Sequence, residues 1–272
     1  MRADLHIHTT ASDGAWTPEQ VVEGAASGSL ELIALADHDT TAGVAAAEDA
    51  AAPLGIRVLP AIELSTARDG REFHILGYGV DREAPLLRAH EERARGARID
   101  RMETMVARLR KAGVLVEMEA VLLAAGAGGG VLGRPHLARA LMASGHVGSL
   151  QEAFHRYIGE GLPAFQPLSL LDPVQGVEVI VAAGGIAVWA HPPRERVDAL
   201  LPELIRAGLK GLEVYRPLSL PDHVRRMERI ARRAGLFFTG GSDWHSPDRD
   251  LPLGEFYVDE GKISTFMKAA GL

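Results

Sequence analysis

With 272 residues, 47% of them hydrophobic, the chain can bury a full core as one large domain or as a domain carrying an insertion. It contains no cysteine, which excludes a disulfide framework and a thiolate metal site, so any metal must be held by histidine and carboxylate. A formal charge of -7 argues against broad duplex binding through a basic footprint, but a small phosphorylated ligand stays open because bound metal ions can supply positive charge.

The chain starts MRADLHIHTTASDG, with no signal-peptide pattern, and nowhere offers ~18 uninterrupted apolar residues, so a soluble, cytoplasmic protein without membrane contact is expected. In this first stretch Ala3, Leu5 and Ile7 alternate with Asp4, His6 and His8, the period of a strand that points both imidazoles the same way. A helix follows, with Thr17 as N-cap, Pro18 at its first position and Gln20 completing a capping box. ELIALADHD reads as a buried strand ending in polar residues, Thr40 to Leu54 as a helix, RVLPAIELS as a third strand ending at Glu63 and Ser65, and EFHILGY as a fourth carrying His74. A charged helical run then extends from about Pro85 to Ala112 and leads into further helices without strands. Residues 98–166 therefore read as an all-α insertion into a domain formed by 1–97 and 167–272. The alternation resumes with GGIAVWAHP, a helix near Val197 to Ala207, the strand GLEVY, a helix near Pro221 to Ala234, and the strand LFFTGGSDWH. Some seven strands, mostly parallel by the length of their crossovers, fit an α/β barrel better than an open sheet.

In a parallel barrel the carboxyl ends of the strands share one rim. His6, His8, His38, Glu63, His191, Asp243 and His245 all fall at or just after strand ends, and His74 and Asp13 lie close by. Six of the eleven histidines and three carboxylates would converge there. Nine nitrogen and oxygen donors exceed what one ion takes, so two or three divalent ions sharing a bridging carboxylate are expected, and manganese, iron and zinc all suit such donors. Other signals carry less. GGGVLG at 128–133 matches a dinucleotide fingerprint by letter but follows a helix and reads as a loop. The run RAHEERARGARIDRMETMVARLRK reads as a solvated helix with i,i+4 ion pairs. Arg134 and His136 in GRPHLAR precede an apolar helix from which they can reach the metals, and Arg194 in AHPPR offers a forked guanidinium for phosphate.

The motifs DLHIHTTASDG, LADHDTTAG, AIELS, FHILGY, GRPHLAR, AVWAHPPR and GSDWHSP, in this order, resemble the PHP (polymerase and histidinol phosphatase) metal-dependent phosphoesterases. The similarity runs over nearly the whole chain. It is strongest to a stand-alone branch containing a 3',5'-nucleotide bisphosphate phosphatase and a 5'-to-3' exoribonuclease. The resemblance implies a distorted (β/α)7 barrel with a trinuclear site. By motif, His6, His8, Glu63 and Asp243 would hold one metal, and Glu63 would bridge to a second held also by His74 and His191. Asp13, His38 and His245 would hold the third. Arg134, His136 and Arg194 match positions that contact phosphate. Two departures bear on the substrate: Leu162 stands where relatives often carry a lysine, and Leu218 where they often carry a histidine.

The expected chemistry is hydrolysis of a phosphate ester of a small nucleotide-like substrate by a metal-bridged hydroxide. Asp243 and Glu63 would serve at the metals, and His136 would be a candidate proton donor to the leaving oxygen. Exoribonuclease action on short RNA and cyclic phosphodiesterase action use the same site. Two further readings compete. A deaminase-like amidohydrolase also begins with HxH, but Lys111, Lys210, Lys262 and Lys268 all lie away from strand ends, leaving no candidate for a carbamylated lysine. A non-catalytic metal-binding PHP module would bind ions without turnover.

Overall fold

The structure is a computed structural model that describes residues 1–126, 130–168, 170–248 and 250–272. Gly128 and Gly129 of the glycine-rich run lie outside the described residues. Among the described residues the chain order is β1 (Arg2–Ile7), α1 (Pro18–Ser27), β2 (Leu32–Leu35), α2 (Val44–Ala51), β3 (Arg57–Arg68) and β4 (Arg71–Tyr78). A helical series follows: α3 (Pro85–Lys111), α4 (Met118–Ala125), α5 (Arg134–Ala143) and α6 (Leu150–Ala153), the last continued by a π-helical turn at Phe154–Ile158. The chain then returns to the sheet through α7 (Pro173–Ala182), β5 (Ile186–Trp189), α8 (Val197–Ala207), β6 (Gly211–Tyr215), α9 (Pro221–Ala234), β7 (Phe237–Gly240), β8 (Val258–Asp259) and α10 (Glu260–Ala269).

Local chemistry explains the first helix. Thr17 is extended, its hydroxyl accepts from the Gln20 N–H, and the Gln20 side chain accepts from the Thr17 N–H, while Pro18 gives up no bond at the first position. Val21, Val22 and Ala25 form its buried face.

The sheet runs β7-β6-β5-β4-β3-β2-β1-β8. Pairing is parallel between β1 and β2, β2 and β3, β5 and β6, and β6 and β7. Beyond β7, the His8 N–H donates to the Trp244 carbonyl at 2.9 Å and Ile7 pairs with Trp244, so the sheet nearly closes into a barrel at the carboxyl end of β1. At the other end of β1, Ala3 and Arg2 pair with the short antiparallel β8.

One strand runs against the expected rhythm. β4 is antiparallel to both β3 and β5. Only Asp69 and Gly70 separate β3 from β4, both with left-handed φ (54° and 73°), and a two-residue turn of that kind leaves no room for a crossover helix. His74 therefore enters the rim from the first half of its strand, directly across from Ser65.

The buried apolar residues form three clusters. The largest lies within the barrel and under α7 to α10, and a second, around Ile7, Ile33 and Trp244, seals the sheet against α1 and α2. The third, around Met102, Leu109, Leu137 and Ile158, belongs to α3 through α6. α3 joins two of them, since Leu87 packs on the barrel and Met102, Met105 and Leu109 pack among the helices. Residue 98, where the sequence pattern starts the insertion, is thus inside a continuous helix.

Candidate metal centre

Asp4 and His6 share the polar face of β1, His8 directly follows the strand, and all three are fully buried. Glu213, on β6, holds the first of the imidazoles. His6 Nδ1 donates to Glu213 Oε1 at 2.8 Å, which leaves the Nε2 lone pair facing the rim. The other oxygen of Glu213 accepts the His191 backbone N–H at 2.8 Å. Glu213 gives no signal of its own in the sequence, because one carboxylate in GLEVY reads as a strand residue like its neighbours.

Four atoms then face a common point. His6 Nε2 lies 3.1 Å from His8 Nε2, 3.4 Å from Glu63 Oε2 and 3.5 Å from Asp243 Oδ1, and His8 Nε2 is 3.3 Å from both carboxylate oxygens. Ligands ~2.1 Å from one shared ion are themselves separated by ~3.4 Å in tetrahedral geometry. Glu63 Oε2 also approaches His38 Nδ1 to 3.0 Å, yet Glu63 Oε2, His38 Nδ1 and His8 Nδ1 are all buried with no hydrogen-bond partner. Close approach without bonding geometry means that lone pairs aim past each other into a shared space, as metal donors do. The residues present fit divalent ions on that ground.

On its other side, Glu63 Oε1 stands 3.1 Å from His74 Nδ1 and 3.0 Å from His191 Nε2, which are 3.3 Å from each other. Asp13 faces His245 Nε2 at 3.5 Å, His8 Nδ1 at 3.8 Å and His38 Nε2 at 4.0 Å. Among the described residues, three overlapping groups could hold an ion: His6, His8 and Asp243; His38, Glu63 and His74; and His8, Asp13, His38 and His245. All nine residues singled out as ligands from the sequence meet here. The overlap exceeds the motif assignment, since His8 and His38 each belong to two groups.

Crowding splits the titration of these groups. Burial works against charge on His6 and His38, but the nearby Glu63, joined by Glu213 and Asp243 for His6 and by Asp13 for His38, raises both, His38 to about 9. Burial and the neighbouring His245 push His8 down to about 3. Burial opposes ionisation of Glu63, yet His74, His6 and His38 hold it well below the usual carboxylate range. Imidazoles this close cannot all accept a proton.

Backbone strain and close packing fix the candidate ligands. His191 and Asp243 have left-handed φ of 30° and 56°, a conformation that costs of order 1–3 kcal/mol and persists where the surroundings enforce it. Gly241 passes so near His6 that no β-carbon fits between them. The residues flanking His38 are structural: Asp37 accepts from the Thr9 N–H and hydroxyl and from Ser12 Oγ, and Asp39 accepts from the Ser65 N–H, His90 and Arg98. Asp243 turns its second oxygen to Arg216 at 3.0 Å, a contact the sequence did not suggest.

A cleft of about 240 Å³ opens over the ligands, its walls including Glu72, Arg98, Arg101, Arg134 and Phe154. Arg134 pairs with Glu72 at 2.9 Å, and its guanidinium lies 5.6 and 5.3 Å from the Phe154 and Phe165 ring centroids. Arg101 reaches the other oxygen of Glu72 at 2.6 Å. The expectation of a solvated helix at 88–111 is corrected here: His90, Arg98 and Arg101 are buried and two of them line the cleft, because α3 turns a charged face inward. His136 is buried behind Arg134, where Nδ1 accepts the Gly133 N–H at 3.0 Å and burial lowers its pKa to about 4. Burial thus favours the neutral imidazole, whose Nδ1 accepts from Gly133 and whose proton sits on Nε2. Arg194 is exposed and does not line the cleft; its backbone carbonyl accepts from Arg226. Leu218 is 95% exposed, and neither Leu162 nor any of Lys111, Lys210, Lys262 and Lys268 lines the cleft.

The family model described as "PHP domain" matches residues 4–157, more than half of the chain. The chain belongs to the PHP domain family. Among relatives in that family, it is 35% identical to a 3',5'-nucleoside bisphosphate phosphatase of Chromobacterium violaceum, over 90% of this chain and 87% of the relative. It is 38% identical to a phosphoribosyl 1,2-cyclic phosphate 1,2-diphosphodiesterase of Eggerthella lenta, over 95% of this chain and 99% of the relative. A solved structure from Bifidobacterium adolescentis, described as a candidate metal-dependent phosphoesterase, superimposes with a TM-score of 0.91 at 32% identity, covering 99% of this chain and 96% of that one.

Proposed function

We propose that this PHP-family protein is a metal-dependent phosphoesterase that hydrolyses a phosphate ester of a small nucleotide-like substrate, a nucleoside 3',5'-bisphosphate foremost. The observation that carries the reading is the convergence on Glu63: its two oxygens face two sets of imidazoles, and Glu63 Oε2, His8 Nδ1 and His38 Nδ1 are buried without a hydrogen-bond partner, beside a wall holding Arg101 and Arg134. His6, His8, Glu63 and Asp243 would hold one ion, His74 and His191 with Glu63 a second, and Asp13, His38 and His245 a third. When bound, divalent ions supply positive charge to the phosphoryl oxygens and acidify water at neutral pH.

The chain's own residues do the rest. Arg134, its guanidinium 5.6 and 5.3 Å from the Phe154 and Phe165 ring centroids, offers a forked donor to phosphate, and its pairing with Glu72 ties it to the cleft wall. Neutral His136 fixes the start of α5 through its bond to Gly133 and so places Arg134. Arg194, as an exposed side chain, would reach phosphate only from the cleft's edge. The likeness to both a bisphosphate phosphatase and a cyclic phosphodiesterase supports phosphate esters as the class and leaves the choice among them to assay.

A Mn-loaded screen of adenosine 3',5'-bisphosphate, short RNA, cyclic phosphodiesters and sugar phosphates tests the reading. Phosphate release, fastest from the bisphosphate and abolished in His8→Ala and Asp243→Asn, is the expected result. Metal uptake without hydrolysis of any compound would make the protein a structural PHP module, and ammonia release without phosphate would make it a deaminase.

A further inference from the structure

One buried guanidinium outside the proposed ligand set reaches three segments that carry the site. Arg98, on α3, is 4% exposed. Its Nε and Nη2 both donate to Asp39 Oδ2, at 2.9 and 2.7 Å, Nη2 donates also to Ser65 Oγ at 2.7 Å, and Nη1 donates to the Leu132 carbonyl at 2.9 Å. Each acceptor adjoins a functional residue. Asp39 directly follows His38, and its N–H donates to the Glu63 carbonyl at 2.9 Å. Ser65 stands two residues after Glu63 on the same face of β3, and its N–H donates to Asp39 Oδ1 at 2.8 Å. Leu132 lies two residues before Arg134.

The pattern of donors is more than neutralisation requires. His90 already gives Asp39 a bond at 2.8 Å, so a single charge nearby would complete the carboxylate. Instead a rigid fork divides its donors among three segments of different origin. Asp39 is itself held in a left-handed turn (φ 52°), a strained conformation that relaxes when its surroundings loosen. A lysine would match the charge, but its single ammonium on a flexible stem cannot hold acceptors in three fixed directions.

We infer that Arg98 is a positioning residue: it locks the His38 turn, the Glu63 strand and the loop leading to Arg134 in one arrangement, so that ion binding at His38, Glu63 and His74 and substrate binding at Arg134 both depend on it. The Arg134 half rests on the phosphoesterase reading above, and the metal half stands without it.

The test uses the full chain with Arg98→Lys, and with the charge-neutral double variant Arg98→Met/Asp39→Asn in case the first folds poorly. Metal per chain after Mn loading and dialysis, the visible absorption of Co(II)-loaded protein and the thermal midpoint are compared with wild type, followed by kinetics at saturating Mn. The expected result for Arg98→Lys is retained folding, about 10- to 100-fold weaker binding of one ion, and an altered Co(II) spectrum. Saturating Mn should then restore kcat while KM for the phosphate ester stays raised. Unchanged metal content and an unchanged Co(II) spectrum would overturn the inference and leave Arg98 a stabiliser only, whatever the midpoint does. A KM that returns to the wild-type value with saturating Mn would overturn the Arg134 half. If the wild type hydrolyses no phosphate ester, the phosphoesterase reading fails and the metal half is still decided by the first two measurements.

Discussion

Glu213 is the residue on which two candidate ligands depend, since it fixes the His6 tautomer with one oxygen and the turn of His191 with the other. Glu213→Gln nearly preserves volume, but its amide can satisfy only one of the two donors it faces. Metal affinity should fall about 10- to 100-fold, as for other carboxylates that orient a metal-bound histidine, and competition with a graded chelator would measure it; retained affinity would assign Glu213 to the fold alone. His136 gives a pH signature. Its pKa falls from 6.5 in the unfolded chain to about 4 in the fold, so the unfolded state takes up the proton first as pH drops. The fold is thus penalised progressively from pH 6.5 down to about 4, by about 3 kcal/mol in full. His136→Gln keeps an acceptor for the Gly133 N–H and removes that proton. Its urea-unfolding free energy should lose less between pH 7 and pH 4 than the wild type's; parallel curves would contradict the assignment.

At the scale of elements, the rim depends on how closely β7 and β1 approach beyond their last residues. A methyl at Gly241 would collide with the His6 backbone and Cβ, both immobile in the barrel. Gly241→Ala should therefore cost at least the ~1–3 kcal/mol typical of overpacking and lower metal content together with the thermal midpoint. A stable variant with full metal content would mean that the closure has slack. Elements also show what the amino-acid order discloses. The α1 cap was legible because Thr17, Pro18 and Gln20 act within four residues. The candidate ligands are legible because polar residues interrupt apolar strands at their ends, which periodicity detects. Strand direction has no such mark: a set of mostly parallel strands leaves the direction of β4 open, and Asp69-Gly70 between two strands is the signal of its tight hairpin. α3 was misjudged because its inward face carries His90, Arg98 and Arg101, which blur the apolar stripe that identifies a buried helix. Arg194 went the other way: proximity to His191 in sequence suggested the cleft, and the turn after β5 leaves its side chain in solvent.

For the whole molecule, the centre gathers six imidazoles and three carboxylates at the floor of the cleft, His6, His8 and Glu63 fully buried and His74 and His191 partly open. Ions that bind only the folded form raise its stability by mass action, by about 2.7 kcal/mol at one hundred times the dissociation constant. Mn or Zn should accordingly raise the thermal midpoint, reversibly with chelator. The gain should fade in acid, where the histidines must shed protons before they can bind; a midpoint indifferent to metal would argue that the donors do not act together. No helix among the described residues is long and apolar enough to cross a membrane.

Glu63 sends one oxygen to each half of the centre from a single planar group. Whatever settles against one oxygen freezes the torsion of the other, so the two halves cannot fill as strangers. The first arrival removes the rotational freedom that the second would otherwise have to quench, while its charge repels the newcomer. Titration curves for this protein would then record the balance of that preorganisation and that repulsion in their steepness, and a fit to identical independent sites would misstate every constant.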